Sequence, residues 1–304
     1  MKKKTAEAIL CKVFDDWLES VKDARVAELI KENTIITGGS IASMLLAEKV
    51  NDYDIYFKTK EAAYQIAKYY VDRFNGQKPI TFPIEGVRED DDRVKIYIKS
   101  VGVAKVGKSS KYQYFETVPD QGESAEQYLQ ETIEMAQATK ESSKLPKYSP
   151  IFASSNAITL SGKIQLVFRF YGTPEDIHKT YDFVHTTNYW TSWDRKLILN
   201  QEALESLLSK ELIYLNSQYP ICAIIRTRKF INRGWTINAG QYLKMCYAIS
   251  ELDLNNPHVL EDQLSGVDVA YFNQIIQVLK EEKEGNPDFK IEYTYLAKLI
   301  DKIF

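Results

Sequence analysis

The chain has 304 residues, 44% of them hydrophobic, which is ample for a buried core and for as many as two domains. Charged residues make up 27% yet nearly cancel to a net charge of −3, so overall charge argues for no nucleic-acid partner and only a local basic patch can do so. Cys11, Cys222 and Cys246 are scattered, with no C-x-x-C pair, which argues against a zinc site and a disulfide framework and suits a reducing cytoplasm.

The N-terminus, "MKKKTAEAILCKVFDDWLE", is basic at first, but Asp15, Asp16 and Glu19 interrupt its apolar run. It reads as an amphipathic helix rather than a signal peptide, and no stretch of the chain approaches the roughly 18 apolar residues of a membrane span. Over 5–32, Ile9, Val13, Trp17 and Val21, then Val26, Leu29 and Ile30, recur at helical spacing and predict one or two helices. A short strand, Thr34 to Thr37, ends at Gly38-Gly39. "SIASMLLAEKV" predicts a helix with Ser40 as its N-cap, "DYDIYFK" a strand, and 59–74 a helix begun by a threonine. "DRVKIYIKSVGVAKVG" alternates like a strand, and the run Glu89-Asp90-Asp91-Asp92 before it reads as a solvated loop. Residues 124–141 predict a helix and 142–150 a loop. "NAITLSGKIQLVFRFYG" predicts two strands turning at Ser161-Gly162. "TPEDIHKTY" predicts a short helix capped by Thr173, and "DFVHTTNYW" a strand beginning at Asp182. Beyond about 195 the apolar period becomes mostly helical, so an α/β part over 1–194 is followed by a helical part over 195–304.

The stretch "TGGSIASMLLAEKVNDYDIYF" concentrates the chemistry. A strand–Gly-Gly-Ser–helix turn offers backbone N–H groups and a hydroxyl to an anion such as a phosphate chain. Eleven residues after Ser40 come Asp52 and Asp54, and residues two apart in a strand face the same side. Two carboxylates so close repel unless a cation neutralises them, and an all-oxygen pair suits Mg²⁺ or Mn²⁺. A phosphate cradle beside such a pair is equipment for phosphoryl or nucleotidyl transfer. The bland alternative is a structural turn followed by surface acids.

Gly39-Ser40, the eleven-residue spacer and Asp52-x-Asp54 before an apolar strand resemble the signature of the polymerase-β-like nucleotidyltransferase superfamily. Its members include tRNA-terminal and poly(A) polymerases and AMP-transferring toxins. The resemblance covers roughly 34–57 and 155–190 and leaves 75–150 as a possible insertion. It implies an α+β fold: a mixed β-sheet core with flanking helices, followed by a C-terminal helical domain. It also implies an NTP substrate held by Gly38, Gly39 and Ser40, and Mg²⁺ or Mn²⁺ on Asp52 and Asp54. A third carboxylate on a strand neighbouring the dyad strand would activate the attacking hydroxyl. Asp182 is the candidate for that acid and would join Asp52 and Asp54 as a metal ligand, with Glu175 and Asp176 as competitors, and the passage around it looks like the third-motif region of diverged viral and phage members. In a strand His185 would point away from Asp182.

Arg226, Lys229 and Arg233 share one face of a predicted helix, where they suit a triphosphate or an RNA backbone, and Phe230 or Trp235 could stack on a base. The alternative is an exposed face with aromatic core anchors. The function implied is NMP transfer from an NTP to a hydroxyl, first an RNA 3′ end such as that of tRNA, with pyrophosphate released. AMP transfer to a protein, or a binding or virion-associated protein that kept the fold and lost activity, are the alternatives. The setting implied is the cytoplasm, the host's if the chain is phage-encoded.

Overall fold

A seven-stranded mixed sheet organises the N-terminal two thirds of the chain, in the order β5-β6-β7-β2-β1-β8-β9. The computed structural model describes residues 1–76, 84–90, 93–98, 146–153 and 156–256, with isolated positions 259–260, 263, 285–286 and 294. The strands are β1 (Thr34–Thr37), β2 (Tyr53–Phe57), β5 (Pro150–Ala153), β6 (Ala157–Leu160), β7 (Ile164–Tyr171), β8 (Tyr189–Thr191) and β9 (Lys196–Ile198). Every neighbouring pair is antiparallel except β2 and β7, which run parallel. A separate hairpin joins β3 (Ile84–Asp90) and β4 (Arg93–Ile98). The α+β expectation of a mixed sheet with flanking helices is what the structure has.

Alternation along the strands sorts the two faces of the large sheet. Ile36, Ile55, Phe57, Ile164, Leu166, Phe168 and Trp190 belong to the main core. Against them lie α1 (Lys3–Glu19), which buries Ala6, Leu10, Phe14 and Trp17 at helical spacing, α2 (Ala24–Asn33) and α4 (Lys60–Asn75). The Trp17 indole donates to the Tyr70 hydroxyl at 2.7 Å inside this core, so both polar tips are satisfied where water is excluded. The opposite face is thinner. There Ile35 and Tyr56 meet Ile177 of α5 (Pro174–His178), with Val167, Phe170, Tyr181 and Tyr189 packed around them.

Helix ends follow local chemistry. Asp23 and Thr59 cap α2 and α4, and Thr173 with Asp176 forms a capping box on α5. Three expectations are corrected. Helix α3 (Gly39–Leu45) is entered through Gly38, so Ser40 lies inside its first turn and is not the cap. "DFVHTTN" is not a strand: Asp182 lies in a bend, Val184–Thr186 form a 3₁₀ turn, and regular pairing begins only at Tyr189. The Thr186 and Thr187 hydroxyls donate to the Phe183 and Val184 carbonyls at 2.7 and 2.8 Å, which closes the backbone locally in place of a ladder. Glu89 and Asp90 belong to β3 rather than to a loop, and Glu89 pairs with Lys60 at 3.6 Å. The helix expected over 124–141 and the last two helical runs, after 266, lie outside the described residues.

Among the described residues the chain divides into two compact units, one through Lys210 and one from Glu211 onward. Helix α6 (Gln201–Ser209) belongs to the first and packs on the Val184–Thr186 turn. The second contains α7 (Pro220–Asn232) and α8 (Ala239–Ser250). No helix among the described residues is long and apolar enough to cross a membrane.

Candidate active site

The site begins at Gly38, the residue joining β1 to α3. Its backbone stands at φ 91°, ψ −154°, which side chains other than glycine's resist, and its N–H donates to the Thr186 carbonyl at 3.2 Å. Asp54 pairs in register with Thr37 just before this turn. Its carboxylate lies against the glycine: Asp54 Oδ2 is 3.0 Å from where a Cβ on Gly38 would stand, and the Tyr181 hydroxyl is 3.5 Å from the same point. The strand therefore brings Asp54 to the Gly-Gly-Ser turn, and the missing side chain of Gly38 makes the approach possible.

Around this contact is a set of polar groups in a mostly apolar setting. Thr37 donates its hydroxyl proton to the Asn188 carbonyl at 2.9 Å. His178 Nε2 is 2.9 Å from the same hydroxyl oxygen, and because that proton is already committed, His178 is assigned as the donor through Nε2–H. Burial pushes the His178 pKa down to about 4 against a weaker upward pull from Glu175, so the ring is neutral near pH 7. The His178 ring sits 5.2 Å from that of Tyr181 and 5.7 Å from that of Tyr189. Burial, with Tyr56 and Asp54 nearby, holds the Tyr181 phenol well above its ordinary value.

One buried polar atom at this turn, Ser40 Oγ, lacks a hydrogen-bond partner. Ser40 is 3% exposed, and native proteins seldom leave such a group unsatisfied without a reason. Gly39 has open space where a side chain would be. A hydroxyl awaiting a partner beside open backbone suits a phosphate oxygen, while the Gly38 N–H, expected in the cradle, is spent on Thr186.

The acids divide. Asp54 is half-buried within β2, and Asp52 is exposed where the chain enters that strand. Asp182 is 7% exposed, in the bend after α5. Among the described residues no three His, Cys, Asp or Glu side chains form a group able to hold a metal ion, so Asp52, Asp54 and Asp182 do not gather as expected. The reason is topological: the strands flanking β2 are β1 and β7, and Asp182 is on neither. Asp52 and Asp54 with phosphate oxygens still fit a hard divalent cation, since Mg²⁺ is commonly held by one or two protein carboxylates and substrate.

His185 is 1% exposed in the 3₁₀ turn, its ring stacked near Phe183 at 6.0 Å. In the second unit, Arg226 and Lys229 lie on α7, and Arg233 closes it with its guanidinium 5.7 Å from the Phe230 ring. Trp235 is 3% exposed and packs edge-on against Phe230 at 5.7 Å, so it is an anchor rather than an open stacking platform. Sequence reasoning missed Thr37, His178, Tyr181 and Gln165 as neighbours of the site. A signal existed for the last: a lone amide between Ile164 and Leu166 interrupts an apolar strand.

Solved structures with similarity include the Thermotoga maritima CCA-adding enzyme complexed with tRNA, at 13% identity and TM-score 0.38, covering 92% of this chain and 57% of that one. A CCA-adding enzyme in apo form I gives 12% and 0.42, covering 94% and 54%. The Bacillus stearothermophilus CCA-adding enzyme in complex with CTP gives 10% and 0.40, covering 85% and 50%. Gabija anti-defense 2 of Bacillus phage SPbetaL7 is 24% identical over 144 residues, which are 46% of this chain and 33% of that protein, so the match spans about a third of the relative's length. The Gabija anti-defense 2 family model matches residues 8–210, two thirds of the sequence and nearly all of the sheet-bearing unit, and the chain belongs to that family.

Proposed function

We propose that the chain is a metal-dependent nucleotidyltransferase that moves NMP from an NTP to a hydroxyl acceptor. The observation that supports this most is the convergence at one turn of the Asp54 carboxylate, the bare Cα of Gly38 and the unpartnered Ser40 hydroxyl. Ser40 Oγ donates to a phosphate oxygen, and the open flank of Gly39 lets the phosphate chain approach the backbone. Asp52 and Asp54 would hold Mg²⁺ or Mn²⁺. That ion, when bound, offsets negative charge on the α-phosphate and the departing pyrophosphate. The acceptor oxygen forms a bond to the α-phosphorus, the bond from that phosphorus to the bridging oxygen breaks with pyrophosphate carrying away the electron pair, and the hydroxyl proton passes to solvent or a substrate phosphate oxygen. Neutral His178 adds no positive charge of its own, and its Nε2–H helps hold the Thr37 end of the turn.

Arg226, Lys229 and Arg233 supply a polyanion-binding stretch of the second unit, suited to an RNA backbone, and an RNA 3′ end is the first acceptor proposed. The family description favours a second reading. An anti-defence protein acts on a defence, so the acceptor is a hydroxyl on a component of the Gabija system, reached in the cytoplasm of the infected host.

Purified chain incubated with Mg²⁺ and each α-labelled NTP, with total RNA or with Gabija proteins, tests both. Label on RNA supports the first acceptor and label on protein the second. Asp54→Asn is expected to cut transfer at least ~10²-fold while circular dichroism stays unchanged. Equal labelling by Asp54→Asn and the unaltered chain would remove the assignment.

A further inference from the structure

Asp54 has one cross-strand neighbour on each side. On β1 it is Thr37, whose hydroxyl is occupied by the Asn188 carbonyl and His178. On β7 it is Gln165, in parallel register with Asp54. Ile164 and Leu166, on either side of Gln165, enter the main core, while Val167 packs with the cluster containing Tyr56 on the opposite face. Tyr56 and Asp54 are two residues apart in β2, so alternation sends the half-buried Gln165 side chain to the face that Asp54 uses. Adjacent strands lie about 4.8 Å apart, which puts the carboxamide within reach of anything the Asp54 carboxylate binds.

Resting on the nucleotidyl-transfer reading of this site, we propose that the Gln165 carboxamide oxygen is the third protein ligand of the divalent cation held by Asp52 and Asp54. The site then carries two negative charges rather than three. This accounts for the lack, among the described residues, of any three-acid group around a strand that still presents Asp54 to the Gly38 turn. An independent sign that a ligand belongs here is a buried hydroxyl without a partner, Ser40 Oγ, at the same turn. A neutral ligand has two consequences. Fewer charged ligands mean weaker binding of a hard cation. A carboxamide also takes up no proton near pH 7, so the acceptor's proton leaves to solvent or substrate phosphate rather than to position 165.

Mn²⁺ titrated into the full chain, with free ion read by electron paramagnetic resonance, tests the assignment in the absence of nucleotide. Gln165→Glu is expected to tighten Mn²⁺ binding by about tenfold or more and to enlarge the rise in Tm that Mn²⁺ causes. Gln165→Ala is expected to weaken binding by roughly threefold or more. A Gln165→Ala chain that binds Mn²⁺ like the unaltered one, or a folded Gln165→Glu chain that binds no tighter, overturns the proposal. If Gln165→Glu does not fold, Gln165→Ala decides alone. Asp54→Asn separates the two levels. If it too leaves Mn²⁺ affinity unchanged and the unaltered chain transfers no nucleotide, the reading of the whole site fails rather than the role of Gln165 alone.

Discussion

Gly38 shows how much one residue can decide. A methyl group added there meets Asp54 Oδ2 at 3.0 Å and must adopt φ near +91°. Each of these is costly, so Gly38→Ala should destabilise the chain by about 1–3 kcal/mol, as read from urea midpoints at unchanged slope. Part of that strain is relieved by pushing the Asp54 carboxylate away, so Mn²⁺ affinity should fall as well. The glycine pair and the two aspartates were visible in the sequence because their spacing is local. Tyr181 and Thr37 were not, because nothing in their own neighbourhoods says that they close around the same turn.

Among the elements, α5 is the shortest helix on the site face and depends most on its ends. Thr173 accepts from the Asp176 N–H at 3.3 Å, and the Asp176 carboxylate accepts from the Thr173 N–H and hydroxyl at 3.2 and 2.8 Å. Thr173→Ala should cost about 1 kcal/mol, and it should loosen His178 and Tyr181, which the helix and the turn after it hold over β1 and β2. Hydrogen exchange at 174–181 checks the local effect. The Thr173 cap was readable from "TPED", as were one or two helices over 5–32 and one over 59–74 from their apolar stripes. The segment 182–188 was misread because its β-branched and aromatic composition favours a strand, while the Thr186 and Thr187 hydroxyls bond backward to the backbone and fold it into a 3₁₀ turn.

For the whole molecule, the buried histidine makes stability depend on pH. His178 has a folded pKa of about 4 against an unfolded value near 6.5, so the unfolded chain binds more protons between those values. The stabilisation from keeping the ring neutral is fully present above pH 6.5 and is lost as pH falls toward 4, by up to about 3 kcal/mol. Chemical denaturation at pH 7.5 and pH 4.5 should show this loss, and His178→Gln should flatten that part of the profile.

Local pattern alone determined the type of most elements, the turn that meets Asp54 and the two-acid motif, because helical period, strand alternation and capping are written within a few residues of one another. Tertiary structure decided which strands stand side by side. Strand order is set by burying both faces of the sheet at once, with α1, α2 and α4 on one and α5 on the other. That packing put β7 beside β2 and Gln165 beside Asp54, and left Asp182 in a bend, on neither strand that flanks β2. A residue's cross-strand neighbour is a long-range consequence of that burial: the lone amide at 165 marks a polar position in an apolar strand, but nothing local to either position pairs it with Asp54.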